Sequence, residues 1–210
     1  MIPRSCRRSR AAARSFAAVI ALATAALLAA CGPAGPSFVP AGPCVVDGQA
    51  EGAYPDLEAA IPTVLRGEPP TRLDSGRTCS ATSLGTLVGH RVAELRFAGG
   101  LWELGERSGV TIARFTAPGL EADWMADFYE AGARSARKTE EIETTRLRIE
   151  GRDAWRLDTL NDESSQTIVV WPADEPGAVW AVLAGNDVRE IQSREAHDAV
   201  VADAIAAVGP

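Results

Sequence analysis

Four short segments in the second half of the chain alternate apolar with polar residues, and they constrain the fold more than any other feature. They cover residues 141–149, 154–160, 166–171 and 178–184. A period of two is typical of β-strands, and short turn-rich connections join antiparallel neighbours. The pattern therefore predicts an antiparallel meander, with Trp171 opposite Trp180 and Val169 opposite Val182 on one face.

Apolar residues at helical spacing flank this meander. They predict a helix over residues 121–136 and a C-terminal helix that buries Val201 and Ile205. Asp187 and Glu190 have the spacing of a capping box, which predicts that the C-terminal helical region opens there, with a break near the following serine.

The first half of the chain is less regular. Its patterns predict short helices that begin at residue 56 and cover residues 81–90, edge strands over 93–97 and 101–104, and a strand over 109–116. Together the elements predict an α+β fold: a mostly antiparallel sheet of about five to six strands with helices packed on one face.

Composition divides the chain into three parts. Residues 1–30 predict a signal peptide, residues 31–55 are rich in Gly, Pro and Ala and predict a tether, and residues 56–210 predict a single α+β domain. About 155 residues are enough to bury a core of their own.

The first fourteen residues carry five arginines and no acid, and an uncharged run over residues 15–30 follows them. This order is typical of a targeting segment. The run is shorter than the roughly 20 strongly apolar residues that a spanning helix needs, so a permanent transmembrane helix is the weaker interpretation.

The uncharged run ends in Leu28-Ala29-Ala30-Cys31, which resembles the lipobox of bacterial lipoproteins. The resemblance implies that the chain is cut before Cys31, that its thiol receives a diacylglycerol, and that lipid holds the protein on the extracytoplasmic face of a membrane. An ordinary secretory signal with a cysteine near its cut site is the alternative. Arg7-Arg8 leaves both Sec and twin-arginine export open.

Cys6 would leave with the leader and Cys31 would carry lipid, so Cys44 and Cys79 remain to be assigned. Export to an oxidising compartment favours a Cys44–Cys79 disulfide. By the chain-entropy model, closing this loop contributes on the order of 3 to 4 kcal/mol. Two free thiols or half of a metal site are the alternatives, and no metal-ligand spacing accompanies either cysteine.

The formal net charge of -7 becomes -12 when the five arginines of the leader are removed. Such an acidic domain repels phosphate backbones and anionic headgroups, which argues against nucleic acid as a partner and leaves the anchor as the route to the membrane. Twenty arginines against the single Lys138, with abundant alanine, indicate a high-GC genome.

The chain from Leu57 to Ile205 also resembles a loose set of small secreted lipoproteins of high-GC bacteria. The resembling features are LEAAIPTVLRG near the start, GVTIARFTAPGLEADW in the middle and an aromatic hairpin before the last helix. These proteins have no assigned activity, so the resemblance implies no role for any residue.

Motifs for catalysis, cofactors and metals are absent from the sequence. The chain has two histidines, His90 and His197, and neither lies in a recognised motif. We therefore predict no cofactor, no metal site and no catalytic residue, and we leave the enzyme question open.

Two residue groups are candidates for ligand binding. Trp155, Trp171 and Trp180 are predicted either to line a concave face of the sheet or to pack in its core. Arg146, Arg148 and Arg156 are predicted to share one face of the first hairpin, where they would bind an anion unless neighbouring glutamates neutralise them.

The sequence therefore supports three hypotheses. The first is a non-catalytic, membrane-anchored lipoprotein that binds a small ligand or an envelope protein. The second is a secreted hydrolase of unrecognised type, and the third is a structural spacer of the cell envelope.

Overall fold

The computed structural model of the chain describes residues 37–136, 139–161, 163–191 and 193–209. Residues from Phe38 onward form one compact unit. The predicted signal peptide and Cys31 lie outside the described residues. Within the described ranges, no helix is both long and apolar enough to cross a membrane.

The described residues form eight strands and four α-helices, and a 3₁₀ helix over Gly85–His90 continues the second α-helix. The strands are β1 (Gly48–Ala50), β2 (Arg72–Thr78), β3 (Leu95–Glu103), β4 (Gly109–Thr116), β5 (Glu141–Ile149), β6 (Arg152–Leu160), β7 (Ser164–Pro172) and β8 (Ala178–Asp187). The helices are α1 (Pro55–Glu58), α2 (Ala81–Leu84), α3 (Ala122–Ser135) and α4 (Arg194–Val208).

All eight strands belong to one sheet in the order β1-β2-β3-β4-β8-β7-β6-β5. Every neighbouring pair is antiparallel, and two four-stranded meanders join where β4 pairs with β8. The predicted α+β class with an antiparallel sheet is confirmed. The predicted count of five to six strands is wrong, because the sheet has eight.

Strands β1 and β2 account for most of that difference. The middle of β2 reads Asp74, Ser75, Gly76 and Arg77, so it lacks the alternation of apolar side chains that predicts a strand. Pairing with β1 and β3 nevertheless buries Ser75, Gly76 and Arg77. Tertiary pairing, rather than local pattern, makes this segment a strand.

The segment predicted as two edge strands is the single interior strand β3. Gly99 and Gly100 interrupt its apolar pattern, but both residues pair with β2 and β4. A Cβ at Gly100 would lie 2.8 Å from the Trp102 ring and 3.0 Å from Ile61. The glycine therefore allows close packing within a strand.

The meander of the second half agrees with its prediction. Trp171 pairs with Trp180 and Val169 pairs with Val182 across β7 and β8. The C-terminal helix also forms, but its predicted start is wrong: Ser193 is the N-cap and its hydroxyl accepts a hydrogen bond from the Ala196 amide at 3.1 Å.

Helices cover both faces of the sheet, so the predicted packing on one face is wrong. Alternate residues of β7 and β8 enter two separate cores, for example Val169 on one side and Val170 on the other. The sequence indicates this two-sided burial through the near-continuous apolar runs Ile168–Trp171 and Ala178–Leu183, because a strand buried on both faces needs apolar residues at every position.

On one face, called here the α4 face, α1 and α4 pack over the sheet. Its core joins Trp171, Trp180 and Val182 to Val200 and Val201 of α4. On the opposite face, called the α3 face, the main helix is α3, which packs against β5–β8 and the 3₁₀ helix.

The segment predicted as a tether contains a packed part. The buried guanidinium of Arg77 donates hydrogen bonds to the carbonyls of Gly42 at 2.7 Å and of Val39 and Pro43 at 2.9 Å. The predicted disulfide between Cys44 and Cys79 is present. The folded body therefore begins near residue 38, well before residue 56.

Candidate ligand-binding groove

The α3 face is only partly covered. Helix α3 lies over the second meander, and among the described residues no helix packs on this face over the outer part of the first meander. Phe97, Leu101 and Phe115 point to this face from β3 and β4 and keep part of their surface exposed. An apolar sheet surface of this kind, next to a helix, is a site where a further apolar group can bind.

Four aromatic rings cross this face in a row. The ring centroids of Phe97 and Phe115 lie 6.2 Å apart, those of Phe115 and Tyr129 lie 6.4 Å apart, and those of Tyr129 and Phe128 lie 5.4 Å apart. These spacings and the tilted or edge-on orientations are those that aromatic pairs prefer. We call the channel lined by these four rings and Leu183 the aromatic groove.

Two cavities make up the aromatic groove. The inner cavity, of about 580 Å³, lies between α2, the C-terminal half of α3 and the sheet, and its wall includes Gly132 and Phe128. The outer cavity, of about 250 Å³, lies over the first meander. Tyr129 and Leu183 line both, so the cavities meet there. Their size is that of sites for small organic ligands.

Among the described residues, few charged side chains line the aromatic groove. The residues that line the inner cavity are apolar or uncharged, with hydroxyl and amide groups from Thr159 and Gln166 among them. The outer cavity carries Arg72 and Asp74, whose charged groups lie 3.1 Å apart and neutralise each other. The groove is thus suited to an apolar molecule with few polar atoms.

Tyr129 supplies the polar group nearest the junction of the cavities. Its hydroxyl makes no hydrogen bond to any residue in the described ranges. Burial raises the pKa of Tyr129, so the hydroxyl stays protonated at all ordinary pH values. It is therefore a free hydrogen-bond donor beside the apolar channel.

The three candidate tryptophans do not share a face, and Trp171 and Trp180 follow the alternative of packing in the core. Trp171 and Trp180 lie buried in the core of the α4 face, whereas Trp155 pairs with Val170 and packs on the α3 face. Paired residues point to the same face, so Trp155 lies on the face of Val170. Trp171 follows Val170 in the strand and therefore points to the opposite face.

The predicted arginine stripe is divided in the same way. Arg146 lies opposite Trp155 on the α3 face, and its guanidinium carbon is 5.5 Å from the centroid of that ring. Arg148 lies on the same side near the turn, where it bonds the Gly151 carbonyl. Arg156 points to the α4 face, so the predicted shared face is wrong.

A larger cavity of about 720 Å³ contains Arg146 and Trp155, at the N-terminal end of α3. Acidic side chains dominate its wall, and Arg152 already pairs with Asp174 at 2.6 Å. Its excess of negative charge gives an anionic ligand no net attraction. We therefore place the candidate site in the aromatic groove, although each of its two cavities is smaller than this one.

The one hydroxyl–imidazole pair of the described residues lies elsewhere, on the α4 face. Thr167 Oγ1 and His197 Nε2 are 2.7 Å apart, and the Thr167 hydroxyl also donates to Asp158. Both Thr167 and His197 are buried, at 1% and 3% exposure. A nucleophile must reach a substrate, and this hydroxyl faces neither cavity of the groove.

Salt bridges surround this pair. Arg156 bonds Asp158 at 2.7 Å and Asp198 of α4 at 2.5 Å, and Arg194 of α4 bonds Asp158 at 3.1 Å. Although burial opposes it, bonds from Arg156 hold the pKa of both carboxyls below the usual range. This network joins α4 to β6 and β7, so it serves the fold.

His90 and the carboxylates offer no alternative site. The His90 ring stacks on Trp124 with centroids 4.3 Å apart. Among the described residues, no group of three or more His, Cys, Asp or Glu side chains is placed to hold a metal ion.

Sequence analysis missed the aromatic groove. Phe97 and Phe115 pair directly across the neighbouring strands β3 and β4, and Phe128 and Tyr129 are adjacent on α3. The available signal was that three of the five phenylalanines lie between residues 97 and 128. Only the sheet register and the position of α3 bring their rings together.

Comparison with known proteins does not identify a ligand for the aromatic groove. The chain matches no model of a protein family, and it matches no curated protein.

Proposed function

We propose that this chain is a lipid-anchored extracytoplasmic lipoprotein that binds an apolar small molecule in the aromatic groove without transforming it. The observation that carries the proposal is the row of four aromatic rings along two joined cavities whose described lining residues carry little charge. A monomeric protein gains little from leaving such a surface open, whereas a binding protein requires it.

The arrangement of the remaining polar groups supports binding rather than catalysis. The hydroxyl–imidazole pair of Thr167 and His197 lies buried on the other face. In the groove itself the polar groups are hydroxyls, amides and the mutually neutralised Arg72–Asp74 pair. Such groups orient a ligand and supply no general base near neutral pH.

A dye-binding experiment with a matched pair of variants tests the binding step. The unit that begins at Phe38 contains both cores and the disulfide, so the chain from Gly32 onward is used without its leader. The probe is N-phenyl-1-naphthylamine, an uncharged dye that fluoresces in apolar surroundings. Its lack of charge removes any effect of the acidic surface.

Gly132→Leu should abolish the dye signal. Gly132 lies in the wall of the inner cavity, and a Cβ there would meet no atom within 4 Å outside its own stretch of helix, so a leucine fits without a clash and should narrow the cavity. Asp127→Leu is the control, since Asp127 is exposed on the same helix and lines neither cavity. Equal dye binding by both variants would rule out the groove as the site.

The anchor needs a separate experiment. Mass spectrometry of the full-length protein from membranes should find a chain that starts at Cys31 and carries a diacylglycerol on its sulfur. Cys31→Ser should leave the protein unmodified and release it from the membrane fraction. An unlipidated native N-terminus would remove the anchor from the proposal and leave the groove untouched.

A further inference from the structure

The outer end of the aromatic groove opens at one edge of the sheet. The outer cavity is lined by Gln49 of β1 and by Arg72 and Asp74 of β2, and β1 is the terminal strand. From β2 the groove crosses β3, β4 and β8 to Gln166 of β7. Four spacings of about 4.8 Å make this path roughly 19 Å long. The groove is thus narrow and elongated, with its mouth at the β1 edge.

The folded body begins at the same edge. Arg77 of β2 fixes the carbonyls of Val39, Gly42 and Pro43 in place. The Phe38 ring lies so close to Gly48 of β1 that no Cβ would fit there. The chain therefore leaves the body toward its N-terminus beside β1, on the opposite face of the same edge strand.

The length of the preceding chain limits how far the body can move from an anchor on Cys31. Six residues separate Cys31 from Phe38, so seven residue-to-residue steps of about 3.6 Å give a maximum reach of about 25 Å. The far edge strand β5 lies seven strand spacings from β1, or roughly 34 Å. A body held this way keeps its β1 edge close to the bilayer.

We infer that the occupant of the aromatic groove is an acyl chain of a lipid from the membrane that holds the anchor, and that it enters over the β1 edge. The inference rests on the proposed function and on the anchor within it. The elongated apolar path matches an extended acyl chain in shape, and its mouth lies on the edge that the short tether holds near the bilayer. Tyr129 lines both cavities of the path, and its hydroxyl is the donor that we expect to meet an oxygen of the lipid.

The mouth also determines the kind of headgroup. Arg72 and Asp74 neutralise each other there, and the Gln49 amide donates to the Asp74 carboxylate at 3.2 Å. The mature domain carries a formal net charge of -12, from -7 for the whole chain less five leader arginines. This charge repels anionic headgroups, so a lipid with a neutral or zwitterionic headgroup is the expected ligand.

The first test is the mass of the bound lipid. The lipidated full-length protein is reconstituted in vesicles of zwitterionic phosphatidylcholine, released from them, and measured by native mass spectrometry. The wild type and Asp127→Leu should each carry one added phospholipid mass, and Gly132→Leu should carry none. If the dye binds but no phospholipid is retained, the membrane-lipid inference fails while the proposed function stands.

The second test separates entry from the membrane and entry from water. A 20-residue Gly/Ser segment is inserted after Ser37 of the lipidated chain, and loading with a pyrene-labelled phosphatidylcholine from the same vesicle is timed. Lengthening the tether from six to 26 residues should slow loading about ninefold, because effective concentration falls as the -3/2 power of linker length. An unchanged rate would contradict entry over the β1 edge.

The protein's own anchor is the competing occupant. If the diacylglycerol on Cys31 fills the groove, the lipidated protein will exclude N-phenyl-1-naphthylamine, whereas the chain that starts at Gly32 will bind it. That result would overturn the inference. Binding of the dye by both forms, with equal affinity, supports it.

Discussion

The two faces of the sheet differ in how completely they are closed. On the α4 face, Trp171 and Val182 are buried, and salt bridges fasten the helix over them. On the α3 face, Phe97, Phe115 and Leu183 keep exposed surface beside the helix. The α4 face is thus the more completely packed of the two, and the α3 face keeps apolar surface exposed, which is the feature on which the proposed ligand binding rests.

Helices α4 and α3 also differ in how completely they are packed on the sheet. Helix α4 combines apolar packing with a polar network that joins Arg156 to Asp198 and Arg194 to Asp158. Helix α3 packs at its N-terminal end through the buried Met125, whereas Gly132 and Ala133 near its C-terminus border the inner cavity. The α4 partners of these pairs, Asp198 and Arg194, keep 40% and 56% of their side-chain surface exposed, so each pair adds little stability by itself, and the network serves mainly to orient α4 on the sheet.

The largest expected effect is on the closed face. Trp171→Ala removes a side chain that is 2% exposed in a packed core, and it should lower the free energy of unfolding by about 3–5 kcal/mol. Trp155→Ala on the α3 face removes a half-buried ring and should cost only about 1–2 kcal/mol. Urea unfolding measures both. Equal losses of unfolding free energy in the two variants would contradict the conclusion that the α4 face is packed more completely than the α3 face.

A smaller effect is expected from the polar network. Thr167→Val removes the hydroxyl between Asp158 and His197 at nearly constant volume, and it should cost about 1–3 kcal/mol because buried partners lose a hydrogen bond. Thr111→Val on the α3 face is the matched control. Its hydroxyl makes no hydrogen bond within the described residues, so the change should stay within about 0.5 kcal/mol.

The network also predicts a dependence on pH. Burial lowers the pKa of His197 below its ordinary value of 6.5, with Asp198 opposing the shift. The unfolded chain therefore binds the proton more readily, and stability rises with pH. The stability that neutral His197 contributes is fully present above pH 6.5. It is lost as the pH falls from 6.5 toward the lower pKa that His197 has in the folded protein.

Unfolding of His197→Gln and His90→Gln in urea, at pH 7.5 and 5.5, tests this dependence. The loss of stability between the two pH values should be smaller in His197→Gln than in the wild type. His90→Gln changes an exposed histidine and should keep the wild-type loss. An unchanged loss in His197→Gln would remove this histidine as the cause.

The smallest expected effect has the opposite sign. Gly132→Leu places a good helix former in an open position of α3 and should raise the free energy of unfolding by about 0.7 kcal/mol, while it blocks the groove. Thermal unfolding without ligand measures the gain. A loss of both stability and dye binding would mean that the variant damages the helix instead of filling the cavity.

Prediction from sequence succeeded where local pattern and tertiary environment agree. Strand β4 was predicted with its observed bounds, and the Trp171–Trp180 pair follows from alternation and loop length. Prediction failed where a segment takes its structure from its neighbours. Strand β2 holds the polar Arg77 in the interior because carbonyls of residues 39–43 receive its hydrogen bonds.

The sequence by itself determined the antiparallel meander, the two long helices and the Cys44–Cys79 pair, because periodicity and cysteine count are local properties of the chain. Only the tertiary structure decided which face each helix covers and which aromatic rings meet. Phe97 and Phe128 are 31 residues apart, and the register of β3 on β4 and the position of α3 bring them to one groove. Such contacts depend on the packing of the whole sheet, which no short segment encodes.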